Sequence, residues 1–124
     1  MKSREGLIRL KRFQVEEKRR QVAQIESMIA EFDRMAKELN DQVIAEQERS
    51  GIHDAGHFAY PTFAKAATQR RDNLTASERA LKDQLAAAKA AYEEAQAELQ
   101  KVEAIAERDM ASDKHSHKAA EAHV

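Results

Sequence analysis

A chain of 124 residues has the size of one domain, but 35% charged residues, 5% aromatics and a mean hydropathy of -0.77 leave little material for a wide globular core. Its 42% hydrophobic share is padded with alanine, and the rest is dominated by Glu, Lys, Arg, Gln and Leu, a composition of long helices with a thin core. The net charge of -1 gives no global bias; the absence of cysteine excludes disulfide and thiolate chemistry, and the apolar runs are too short to span a bilayer.

The start "MKSREGLIRLKRF" lacks the apolar stretch of a secretory leader, so a cytoplasmic location is expected. From here to about residue 49 an apolar residue recurs every seven positions: Ile8, Val15, Val22, Ile29, Ala36 and Val43, which we label a. Strands do not keep that period; a coiled-coil helix does. The companion d series, Lys11, Lys18, Ile25, Phe32, Leu39 and Glu46, is apolar in its middle and charged toward its ends. Residues 2 to 20 also hold eight Lys or Arg against three Glu.

Next comes "GIHDAGHFAYP", Gly51 to Pro61, with two of the three glycines and the only proline. Such clustered breakers predict the tip of a hairpin at about 50–60, with Gly51 leaving the first helix through positive φ, Asp54 capping or turning, and Pro61 in a first turn. A second helix is expected over about 61–110, with a start anywhere from 54 to 61. Its d series is Ala67, Leu74, Leu81, Ala88, Ala95 and Val102, and its a series Ala64, Arg71, Glu78, Leu85, Tyr92, Leu99 and Ala106. Residues 93 to 109 hold six acids against Lys101 and Arg108. The remainder, 111–124, reads as a flexible or disordered tail; His115, His117 and His123 lie in it, where ordered metal ligation is not expected.

The two series match if residue n of the first helix faces residue 110 − n of the second: Ile8 with Val102, Val15 with Ala95, Ile29 with Leu81, Val43 with Ala67. That register sets the basic run against the acidic run. It also puts Leu39 on Arg71, Phe32 on Glu78 and Lys18 on Tyr92, layers open to snorkelling stems or to register-fixing polar contacts. The fold class expected over 1–110 is therefore all-α, a long antiparallel two-helix coiled-coil hairpin. A rod two helices wide and roughly 70 Å long has almost no concave surface. No phosphate-binding loop, H-E-x-x-H motif or nucleophile-base pair is present, so neither an enzyme nor a cofactor is expected.

Apolar residues off the seam point instead to partners. Leu10 and Phe13 fall at heptad positions c and f, which face solvent in a two-helix pair. Near the tip, Phe63 stands at g, close to Tyr60 and Phe58; these aromatics either pack locally against Ile52 or meet a partner.

The hairpin plan, the start "LIRLKRFQVEEKRRQVAQIESMIAEF", the segment "FAYPTFAKA" with Tyr-x-x-Phe at Tyr60 and Phe63, and "LQKVEAIAERD" resemble the flagellar export protein FliJ family over about residues 1 to 110. The resemblance implies a non-enzymatic stalk or chaperone of the bacterial flagellar type III export apparatus. It implies a cytoplasmic place at the flagellar base, peripheral to the membrane through partners only. In that family the terminal ends of the hairpin sit in the ring of the export ATPase, and the tip-proximal half touches the cytoplasmic domain of the membrane export gate; export substrates or their chaperones are further partners. Leu10 and Phe13 would then face the ATPase, and Tyr60 and Phe63 the gate, with Gln47 added from the hairpin register. Arg70 and Leu74 depart from the family pattern, which has a small and a polar residue there. Three rivals remain: a coiled-coil scaffold or chaperone with other clients, nucleic-acid binding by the basic run, opposed by the facing acids, and membrane-surface binding by residues 7 to 20, opposed by Glu16 and Glu17.

Overall fold

The computed structural model describes the backbone of residues 2–122 and the side chains of 3–114. It holds two helices, α1 (Lys2–Ser50) and α2 (Thr62–Ala122), packed against each other, with no strand among the described residues. The contacts divide into two units, each pairing a stretch of α1 with a stretch of α2. The terminal unit comprises residues 1–22 and 88–124; the turn unit comprises 23–87.

Helix α1 has no proline, and Gly6 is its only glycine. Glu5 in its first turn and Arg49 in its last oppose the partial charges of the helix ends. It stops where expected. Gly51 takes φ +75°, and its N–H donates to the Gln47 carbonyl at 2.8 Å, a left-handed C-terminal cap that glycine adopts without a Cβ penalty. The Ile52 N–H donates to Ser50 Oγ at 3.2 Å, so the chain leaves the helix with its amides satisfied.

The tip runs one residue later than the sequence predicts, over 51–61. Asp54 turns the chain rather than capping a helix: its Oδ1 accepts the Gly56 N–H at 2.9 Å, and its carbonyl accepts the His57 N–H at 3.0 Å. Pro61 precedes α2 and opens its ladder, its carbonyl accepting the Lys65 N–H at 3.1 Å; the missing proline amide costs nothing there. Gly51→Ala should lower stability by about 1 kcal/mol through backbone strain alone, since a Cβ at this site meets no atom within 4 Å. Thermal melting followed by circular dichroism measures this; an unchanged midpoint would mean the cap adapts freely.

At its far end α2 continues to Ala122, past the boundary at 110 expected from the heptads. The segment 111–122 contains four alanines and neither glycine nor proline, so nothing in it interrupts a helix even though the apolar repeat has ended. The side chains of His115, His117 and His123 lie outside the described residues.

Packing follows the heptads. Every a and d residue from Ile8 to Glu46 and from Ala64 to Ala106 is at least partly shielded, and the seven buried residues of the described part all stand at a or d. In the turn unit Leu39, Val43, Ala64 and Ala67 form a buried cluster on which Tyr60 and Leu74 pack. Valine and leucine facing alanine let the two helices approach closely. Most other seam residues are only half-buried, because a two-helix layer leaves the seam open on its flanks.

Polar seam residues find polar partners, across the helix pair at Arg71 and within α2 at Glu78 and Tyr92. Arg71, partly buried at its a position, sends its guanidinium to Asn40 Oδ1 at 2.7 Å and Asp72 Oδ1 at 3.1 Å. Glu78 is held by Lys82 at 3.6 Å, and the Tyr92 hydroxyl accepts from Gln96 Nε2 at 2.9 Å.

Candidate functional site

In the terminal unit, the basic run of α1 meets the acidic run of α2 as the register requires. Lys11 Nζ lies 2.9 Å from Glu98 Oε2, Arg4 Nη2 lies 3.2 Å from Asp109 Oδ2, and Arg12 Nη2 lies 3.9 Å from Glu103 Oε2. Several cations are thereby used within the chain, leaving fewer for a polyanion. Others are tied along α1 itself. Arg19 and Arg20 pair with Glu16 and Glu17 at 2.9 and 3.1 Å. The hydrogen bond from Arg19, followed by its charge, holds Glu16 below the usual carboxylate range, and the hydrogen bond from Arg49 does so for Glu46 against the opposing effect of burial. Arg19, Arg34 and Arg49 are correspondingly raised by hydrogen bonds and charge from Glu16, Glu31 and Glu46, and Lys37 by Asp33. These are pairs along one helix, mostly exposed, with Glu46 the more shielded member, and such pairs contribute little to stability.

Leu10 and Phe13 are 50% and 60% exposed, as their c and f positions require. They lie one turn apart on α1 and are covered by nothing in the described chain. An open groove runs beside Phe13, with Ala91 and Ala95 of α2 in its lining.

The turn unit treats its aromatics differently from one another. Tyr60 packs on the buried cluster, and its hydroxyl accepts a hydrogen bond from Gln47 Nε2 at 3.0 Å. The structure thus brings Gln47 and Tyr60 together, and they spend polar atoms on each other, tying the end of α1 to the start of α2. Phe63, one residue before buried Ala64, is 55% exposed. Phe58 is 97% exposed and does not fold onto half-buried Ile52; its ring stacks on His57 at 4.7 Å between centroids. The site residues of this unit therefore split into a shielded pair, Gln47 and Tyr60, and an open face at Phe63, with Phe58 as a residue whose exposure the heptads could not reveal because it lies outside them.

Among the described residues no group of three or more His, Cys, Asp or Glu side chains converges as metal ligands would, and no helix is long and apolar enough to cross a membrane. Among the described residues, the concavities beside Phe13, Arg71, Leu74 and Ile29 are open grooves along the helix pairs. What the surface offers is contact area: exposed leucine and phenylalanine in the terminal unit, and exposed phenylalanine in the turn unit. No protein-family model, curated protein or solved structure matches the chain.

Proposed function

We propose that this chain is a non-enzymatic component of the bacterial flagellar type III export apparatus, a helical hairpin that links the export ATPase to the export gate and promotes export. The observation that carries the reading is the placement of uncovered apolar side chains in both units, Leu10 and Phe13 in one and Phe63 in the other, on a helical pair. An adaptor needs two contact surfaces that can be occupied together. The terminal unit supplies the ATPase-facing surface through Leu10 and Phe13. Phe63 supplies the gate-facing one, while Gln47 and Tyr60 hold the backbone beneath it in place. The protein acts in the cytoplasm at the flagellar base and reaches the membrane through the gate.

Affinity capture with the full chain from a flagellated bacterium tests this. Co-purification of an export ATPase and a membrane export gate supports the proposal, whereas capture of an unrelated set of clients favours a coiled-coil scaffold of another system. Phe63→Ala separates the two surfaces. It should leave helicity and melting nearly unchanged, since the ring is largely in solvent, yet weaken gate association by roughly tenfold, as removal of an interface aromatic does. Gate binding at full strength in this variant would place the contact elsewhere.

A further inference from the structure

The terminal unit exposes more apolar surface than Leu10 and Phe13. Leu7 and Ile105 are exposed as well, and both stand at g, which in an antiparallel pair is one shared edge of the seam. Leu10 at c and Phe13 at f continue that edge outward along α1. The other flank of the same seam, at b and e, is charged, with Arg9, Arg12, Arg19, Glu93 and Glu103. The apolar surface is therefore one-sided. Adjoining it at Phe13 is a shallow groove of about 490 Å3, whose lining includes Ala91, Ala95, Phe13 and three carboxylates, Glu17, Glu94 and Glu98.

A helix pair with small residues between two ridges leaves the position that a third helix fills in a bundle, and alanine allows that helix a close approach. Charge selects which helix. Lys18 is the single cation among the groove-lining residues, against the three glutamates. Glu98 and Glu17 already hold Lys11 and Arg20, but Glu94 has no ion-pair partner among the described residues. A second copy docking by this same face would bring carboxylates together, and an anionic membrane would meet the same repulsion.

We propose that this groove receives a basic amphipathic helix of a partner protein, whose apolar stripe lies on Leu10, Phe13 and the two alanines and whose Lys or Arg side chains meet Glu94, Glu17 and Glu98. The partner element is thereby given a chemistry; only its assignment to the export ATPase rests on the function proposed above.

The test uses two fluorescent helical peptides of ~18 residues with the same leucine stripe, one completed with lysine and one with glutamate, titrated with the full chain and read by anisotropy. The lysine peptide should bind saturably, and the glutamate peptide at least roughly tenfold more weakly. Phe13→Ser should weaken the lysine peptide by roughly tenfold, and Glu94→Lys should narrow or reverse the preference between the two peptides. Equal binding of both peptides overturns the inference. So does unchanged affinity in Phe13→Ser, co-sedimentation with phosphatidylserine vesicles in place of peptide binding, or a dimer in solution that Phe13→Ser dissolves. Stimulation of the export ATPase is measured in parallel: peptide selectivity without stimulation removes the functional reading alone, whereas Phe13-dependent stimulation without peptide selectivity removes this inference alone.

Discussion

On the proposed function, replacing Leu10 and Phe13 together by serine should abolish stimulation of the export ATPase while leaving the fold within about 1 kcal/mol of the parent, as surface substitutions do. Both side chains are at least half exposed, at heptad positions that face away from α2, so little packing is lost with them. The loss instead falls on association, where a few uncovered aromatic and aliphatic anchors carry most of the binding energy. Melting curves and ATPase assays on the same preparations separate the two effects. A double variant that unfolds would show that these residues are internal, and one that folds and stimulates normally would show that the ATPase contact lies elsewhere.

Val43→Asp should have the opposite signature, loss of the fold and of every function together. Val43 is only 4% exposed and sits in the buried cluster with Leu39, Ala64 and Ala67. A carboxylate there loses both its hydration and the packing of the valine, a cost on the order of 3–5 kcal/mol, comparable with leaving a buried charge unpaired. The thin seam has little reserve against such a cost, since no other layer of the fold covers it. Far-ultraviolet circular dichroism at 25 °C reads the outcome directly. Retention of full helicity and a parent-like melting midpoint would mean that the cluster does not hold the turn unit together.

The contrast between these substitutions was legible in the sequence because a heptad repeat assigns each residue a direction. Ile8, Val15 and Val43 recur at one position, and that position is shielded throughout; Leu10 and Phe13 fall off it and are exposed. The breakers stand at the tip as expected, Gly51 taking the positive φ that ends α1, while Pro61 lies just ahead of α2 rather than in its first turn. The meeting of the basic run with the acidic run follows from the register, although each ion pair reaches past its directly facing position: Lys11, opposite Leu99, pairs with Glu98.

Periodicity gives no information where it ends. Residues 111–122 carry no apolar repeat, so the sequence marked a boundary at 110, yet alanine-rich composition without a breaker lets α2 continue. The tip residues obey no heptad either, and the stacking of Phe58 on His57 depends on turn geometry. The register set Gln47 opposite Phe63, whereas its hydrogen bond goes to Tyr60, a pairing that depends on how the chain leaves the tip and needed coordinates. Leu7 and Ile105 were missed although both stand at g; reading the g positions of the two helices as one edge would have joined them to Leu10.

On the proposed function two partners bind the hairpin at once, through Leu10 and Phe13 in one unit and Phe63 in the other. Sedimentation velocity on the purified chain mixed with the export ATPase and the cytoplasmic domain of the export gate tests it most directly. A complex containing all three is predicted, with the ATPase lost selectively on Leu10→Ser/Phe13→Ser and the gate domain lost selectively on Phe63→Ala. Mutually exclusive binding of the two partners, or binding of neither, would contradict it.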